Sequence, residues 1–138
     1  MVHTEEFTVS VGESCDMIDV TGRVQAAVAD SGMKAGIACV SMVGSTGGVS
    51  TIEFEPGLKR DVPELMEKLI PSNRSYAHDE TWHDGNGYSH LRSFLTGTSF
   101  TAPFQDSQLM LGTWQQIVAV NFDNRPRDRR VVVQIIGE

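Results

Sequence analysis

From His3 to Val11 the chain alternates, with Phe7, Val9 and Val11 on one face and Thr8 and Ser10 on the other. That period of two predicts a half-buried strand. From Val20 the period lengthens, and Val20, Val24, Ala27 and Val28 share one helical face. Asp16 or Asp19 can cap that helix, and Gly32 can stop it. Ala35 to Val43 is a nearly continuous apolar run, read as a buried strand. After Gly44-Ser45-Thr46-Gly47-Gly48, Val49 to Phe54 reads as the strand returning from a hairpin turn. Asp61 and Glu64 have capping-box spacing, with Pro63 in the first turn. Leu65, Met66 and Leu69 then form an apolar stripe, expected in the core, on a short helix ending at Pro71. Leu91, Phe94 and Leu95 mark a third helix that stops at Gly97. Pro103 to Ser107 reads as a turn, Leu109 to Leu111 and Ile117 to Phe122 as strands, Asn124 to Arg130 as a polar turn, and Val131 to Ile136 as a closing strand.

Most strand connections are too short for a crossover helix, so antiparallel pairing is expected. The pattern predicts an α+β fold: antiparallel, sandwich-like sheets with about three short helices, in a single domain over residues 1–138.

Composition narrows the function classes. A formal net charge of −7 opposes phosphate backbones and anionic bilayers, so neither nucleic acid nor membrane is an expected partner. No apolar run approaches the roughly 20 residues that span a bilayer. No basic stretch followed by an apolar run opens the chain, so no secretory signal is expected. Two isolated cysteines, Cys15 and Cys39, suit free thiols in a reducing cytoplasm. One local exception to the acidity is the cluster Arg125, Arg127, Arg129 and Arg130, which can bind a compact anion or form a solvated loop or a subunit contact.

The densest chemistry lies between Tyr76 and Gly97. Three of the four histidines, His78, His83 and His90, fall within thirteen residues, interleaved with Asp79, Glu80, Asp84 and Asn86. Imidazoles and carboxylates in a loop feeding a helix can form the ligand shell of a divalent metal such as zinc, or hold a phosphorylated ligand. The alternative is a solvated loop. Asn86 can cap the helix carrying His90, where the helix dipole favours the neutral, metal-binding imidazole. Gly85 and Gly87 let the loop fold back so that His78 and His90 share a site. The Gly44–Gly48 loop offers backbone N–H groups and the hydroxyls of Ser45 and Thr46 to an anion, although no Gly-Lys-Ser/Thr follows, so it is not a Walker loop.

Several stretches together resemble one family, the secondary thiamine-phosphate synthase or YjbQ-like family. They are His78-Asp79 after Tyr76, Trp82-His83-Asp84-Gly85-Asn86-Gly87-Tyr88-Ser89-His90, and Gly97 with Ser99 and Pro103. They continue with Leu111-Gly112-Thr113-Trp114-Gln115 and the tail Arg130-Val131-Val132-Val133 with Gly137. Gly44 to Gly48 and Lys59-Arg60-Asp61-Val62 fall in register.

The resemblance implies a small α+β fold, a homotrimer and a weak thiamine-phosphate synthase activity. That reaction joins a pyrimidine diphosphate to a thiazole phosphate and releases pyrophosphate. A non-catalytic trimer that binds a metal or a phosphorylated metabolite is the alternative. The chain departs from the family at Gly44, where a histidine is usual, and at Ile52-Glu53, where only the acid of an Asn-Glu pair is kept. His83 is the candidate to replace the missing histidine as a metal ligand beside His78 and His90. Glu53 and Asp79 are candidates to orient a histidine, and Gln115 to present its amide to the pocket, as catalytic support. Ser45, Thr46, Asn86 and Arg130 are the expected phosphate-binding set. Trp114 can stack on a heteroaromatic ring or lie in the core.

Overall fold

The computed structural model describes all 138 residues, Met1–Glu138. Strand β1 (Val2–Val11) opens the chain, followed by β2 (Asp16–Asp19), α1 (Thr21–Asp30), β3 (Ala35–Met42) and β4 (Gly47–Ile52). The middle carries α2 (Pro56–Leu69), α3 (Ala77–Trp82) and α4 (Gly87–Thr96). Strands β5 (Ser99–Gln105), β6 (Gln108–Leu109), β7 (Gln116–Asn121) and β8 (Arg127–Gly137) complete it. One sheet has the order β1-β8-β3-β5-β6, the other β2-β7-β4, and every pairing is antiparallel. The expected α+β class therefore holds, with four short helices. No helix is long and apolar enough to cross a membrane.

Period-two alternation explains how the sheets meet. On β8, Arg129, Val131, Val133 and Ile135 face inward, while Asp128, Arg130 and Ile136 face outward. Val131, Val133 and Ile135 join Val40, Phe104 and the α1 residues Val24, Ala27 and Val28 in the main core. Strand β7 is buried on both faces. Its Ile117 and Ala119 enter the main core, and Val118 and Val120 enter a second one with Cys15, Met17 and Phe122. Helix α2 lies over that second core. Cys15 and Cys39 are unpaired.

Several predicted boundaries shift, each for a physical reason. Strand β4 does not return along β3 as a hairpin. It leaves the first sheet and pairs β7 in the second, with Gly48 opposite Val120. Strand β2 occupies Asp16–Asp19, which had read as capping sequence. Asp19 instead accepts from the Thr21 N–H and hydroxyl. Helix α2 begins at Pro56, not Asp61, because the Glu55 carboxylate accepts from the Gly57 and Leu58 N–H groups at 2.8 and 2.6 Å. That leaves Pro63 inside the helix. Its stripe is not core either: Leu65 and Leu69 are exposed, and only Val62 and Met66 pack on the second core. Helix α3 is additional. Strand β5 runs through Pro103 to Gln105, with the turn confined to Asp106 and Ser107, both at positive φ. Strand β8 starts at Arg127, so most of the expected polar turn is strand.

Helix α4 has an inverted polarity. Its buried residues are Gly87, Tyr88, Ser89, Arg92 and Ser93, whereas Leu91, Phe94 and Leu95 are exposed. The polar face is satisfied by backbone from elsewhere. Ser89 Oγ donates to the Phe122 carbonyl and Ser93 Oγ to the Gly47 carbonyl, each at 2.6 Å. Arg92, 2% exposed, donates to the Ile70 carbonyl and to Glu67 at 2.7 Å. These bonds seat α4 on the glycine loop and the β7–β8 turn. Replacing Ser93 with alanine strips the buried Gly47 carbonyl of its donor, and Ser93→Ala is expected to lose about 1–3 kcal/mol of stability. Ser75→Ala, at an exposed site, is expected to stay within about 0.5 kcal/mol. Denaturant unfolding of both variants checks the contrast, and equal losses would reject this account of how α4 is held.

Candidate functional site

The site is organised by a buried carboxylate. Asp123, fully buried after the end of β7, accepts from the Asn124 N–H at 2.8 Å and the Asn86 side-chain amide at 3.3 Å through Oδ1. Its Oδ2 accepts from the Thr46 hydroxyl at 3.1 Å and from Arg127 Nε at 2.9 Å, with Arg127 Nη2 in ion-pair contact at 2.8 Å. Burial pushes the Asp123 carboxyl up, but these donors outweigh it and hold it below the ordinary carboxylate range. One residue thus ties the glycine loop, the start of α4 and the β7–β8 turn together.

Thr46 relays this network to Arg129. The Thr46 oxygen accepts from Arg129 Nη2 at 2.8 Å, and the same Nη2 donates to the Asn121 amide oxygen. Arg129 is buried, and burial lowers its affinity for the proton, partly offset by the charge of Asp123.

Above this floor lie the histidines. The His78 and His90 rings are 4.3 Å apart between centroids, although twelve residues separate them in sequence. The fold-back expected from Gly85 and Gly87 therefore occurs, and Gly85 holds φ +68. Asp79 staples it. Its carboxylate accepts from the Tyr76 N–H and the Gly87 N–H, both at 2.9 Å, and these two bonds lower its pKa. Asp79 is thus committed to the starts of α3 and α4 rather than to a ligand histidine.

Asn86 precedes α4 but does not cap it with its side chain. Its amide stands between carboxylates. With Nδ2 on Asp123, the amide oxygen lies 2.9 and 3.2 Å from the Asp84 oxygens and 3.3 Å from His78 Nε2. Turned over, the amide donates to Asp84 and His78 and faces Asp123 with its oxygen. The turned orientation is the one that satisfies both ends of the amide. No three His, Cys, Asp or Glu side chains converge to hold a metal. His78 Nε2 lies 3.7 Å from Asp84 Oδ1, one nitrogen beside one carboxylate, with the turned Asn86 amide donating to both. An imidazole nitrogen and a carboxylate suit a divalent cation of intermediate hardness.

A cleft of about 560 Å³ opens beside this cluster, lined by Gly44, Ser45, His90, Leu91, Ser93, Phe94, Gly97 and Thr98. It joins the two stretches singled out in the sequence, the glycine loop and the histidine segment. The close approach depends on Gly48, where a Cβ would stand 3.0 Å from the Gly97 carbonyl oxygen.

Other predicted residues lie elsewhere. His83 ends α3 in the left-handed conformation and is exposed, outside the His78–His90 pair. Thr46 is buried, its hydroxyl taken by Asp123 and Arg129, which leaves Ser45 as the exposed hydroxyl of the loop. Gly47 and Gly48 belong to β4, so the open part of the loop is only Gly44 and Ser45. Arg130 points outward and forks onto Glu6 at 2.8 and 2.9 Å. Glu53 is exposed past the far end of β4, about 20 Å from Gly47 along an extended strand. Gln115 bonds Thr51 and Gly112 at that same end. Trp114 is 73% exposed and not in the core.

Asp84 and Arg129 stood in the sequence only as members of the histidine–carboxylate and arginine clusters, and Asp123 was not singled out. Arg129 did carry a signal, because the alternation of Val131, Val133 and Ile135 extends upstream onto it. Asp123 carried none, since its partners come from three separate stretches of chain.

Comparison with known proteins places this arrangement. The family model described as UPF0047 protein YjbQ-like matches residues 5–138. A UPF0047 protein of Archaeoglobus fulgidus is 36% identical over 131 residues, covering 95% of this chain and 99% of that protein. The Bacillus subtilis UPF0047 protein YugU is 30% identical over 88% of this chain and 90% of its own length. Among solved structures, a YbjQ-like protein of unknown function from Sulfolobus solfataricus P2 superposes with a TM-score of 0.93 at 30% identity, covering 100% of this chain and 99% of that one. A hypothetical protein from Aeropyrum pernix K1 gives 0.89 at 32% identity, with 98% of each chain covered. The chain therefore belongs to the YjbQ-like UPF0047 family.

Proposed function

We propose that the cleft between the glycine loop and α4 binds a phosphorylated small molecule next to a divalent cation. The observation that carries this reading is the meeting of Gly44 and Ser45 with His90 in one cleft, beside the His78–Asp84–Asn86 cluster. The Ser45 hydroxyl and the loop backbone would hold phosphate oxygens. His78 and Asp84, with His90 adjacent, would hold the cation, which would supply charge neutralisation to a phosphate or pyrophosphate group. His83 has no place in this set.

These parts meet the main demand of a thiamine-phosphate synthase-type transfer. Pyrophosphate leaves a pyrimidine methylene carbon, and its departure is eased by positive charge at the leaving group. Under this reading the chain's own residues bind and orient the diphosphate, and no general base is needed at the carbon. The second reading, a non-catalytic binder, is favoured by one specific observation: Glu53 and Gln115 lie far from the cleft, and Asp79 is fully occupied by backbone N–H groups.

We also propose a homotrimer. Phe94, Leu95 and Leu91 on α4, with Trp114, Met110 and Trp82, leave large apolar side chains in water, as an assembling surface does. Leu91 and Phe94 also border the cleft, so assembly would enclose it.

Elemental analysis of protein purified without added metal is expected to find one divalent ion per chain. His78→Ala and Asp84→Asn should each lower that content by about tenfold or more, with His3→Ala unchanged. Equal content in all four proteins would remove the cation from the reading. Incubation with the pyrimidine diphosphate and thiazole phosphate is expected to yield thiamine phosphate, and complementation of a strain lacking its main synthase checks it in cells. Binding of the phosphorylated substrates without product would select the non-catalytic reading. Light scattering should give about 45 kDa, three times the 15.1 kDa chain. Leu95→Asp should shift it to the monomer, and a wild-type mass near 15.1 kDa would reject the trimer.

A further inference from the structure

The polar floor under the cleft is not neutral. Two arginines, Arg127 and Arg129, approach a single buried carboxylate, and Arg127 takes it, with Nε donating to Asp123 Oδ2 at 2.9 Å and Nη2 in ion-pair contact at 2.8 Å. Arg129 is only 6% exposed, and its hydrogen bonds go to uncharged oxygens, the Thr46 hydroxyl and the Asn121 amide. Both leave from Nη2. The Nε atom is buried without any partner. A buried cation lacking its own anion costs several kcal/mol, and natural structures offset that cost with a counter-charge. The one carboxylate nearby, Asp123, is already paired with Arg127.

The third nitrogen, Nη1, makes no hydrogen bond within the chain and lies behind Gly44. A Cβ on Gly44 would stand 3.0 Å from Arg129 Nη1, and Gly44 itself lines the cleft. The backbone there has φ +141, a conformation that disfavours any residue with a side chain. The local backbone therefore keeps position 44 bare, and with it the way to Nη1. Ser45, the exposed hydroxyl, is the next residue.

We infer that Arg129 is the charge-reading group of the cleft: a phosphate or phosphomonoester enters past Gly44, accepts from Nη1, and supplies the anion that the buried guanidinium lacks. This rests on the phosphorylated-ligand reading above and deepens it. It assigns the recognition to an inward arginine, not to the outward Arg130, whose guanidinium is already forked onto Glu6. The planar guanidinium also selects tetrahedral oxyanions over halides by offering directed N–H donors. The network behind it fixes its orientation before the ligand arrives.

Isothermal titration with inorganic phosphate and with glycerol phosphate, at constant ionic strength, tests the assignment on the full chain. Wild-type protein should bind both. Arg129→Gln and Gly44→Ala should each weaken binding by about tenfold or more, the scale of a lost charge-assisted hydrogen bond. Arg130→Gln should bind as the wild type does. Gly44 lies in an exposed loop outside the Asp123 network, so Gly44→Ala decides the matter if Arg129→Gln does not fold. Wild-type protein that binds neither anion sinks the phosphorylated-ligand reading itself. Wild-type binding that persists unchanged in the folded variants keeps that reading and overturns the role of Arg129.

Discussion

Everything near the cleft depends on keeping the Asp123 carboxylate charged while it is out of water. A lone buried carboxylate would take up a proton, because desolvation disfavours the anion. Here donors converge on it from Arg127, Thr46, the Asn124 backbone and, with its Nδ2 turned inward, Asn86. Each donor belongs to a different part of the site. Thr46 sits at the glycine loop, Asn86 at the start of α4, and Arg127 at the start of β8. Satisfying one charge therefore fixes three segments relative to one another. The cleft between Ser45 and His90 is a consequence of that fixation.

The inverted helix follows from the same constraint. An amphipathic helix normally turns its apolar stripe to the core. Helix α4 instead buries Ser89, Arg92 and Ser93, because the surface beneath it presents carbonyl oxygens of Phe122, Gly47 and Ile70 that need donors. Unpaired buried carbonyls cost more than leaving leucine and phenylalanine in water at one surface. The exposed stripe is then available for another copy of the chain, and it stands at the rim of the cleft. Packing at the site and the proposed assembly are two faces of one ten-residue helix.

The crossing of β4 between sheets matters as much. Had Val49 to Phe54 returned along β3, the glycine loop would have been a solvent-facing hairpin end. Because β4 pairs β7, Gly47 and Gly48 are held against α4 and the Asp123 network lies directly behind them. Asp79 plays the matching part on the other wall, joining the starts of α3 and α4 so that His78 and His90 meet.

The sequence by itself determined the long strands, α1, the end of α4 at Gly97 and the antiparallel class, because those depend on local periodicity and on glycine and proline. It also marked His78 and His90 as residues that meet, through the two glycines that let the loop between them fold back. It could not show that Leu65, Leu69 and Phe94 stay outside, since an apolar stripe looks the same whether it meets a core or a partner. Nor could it tell Arg129 from Arg130 by type. A shift of one residue along β8 sends one guanidinium inward to Thr46 and the other outward to Glu6. Strand period makes that distinction absolute, but only once the strand is known to begin at Arg127. Glu53, Gln115 and His83 were plausible by residue type, and tertiary structure alone set them apart. Their distance from the cleft comes from the path of β4 and from the left-handed turn at His83, which no residue spacing encodes.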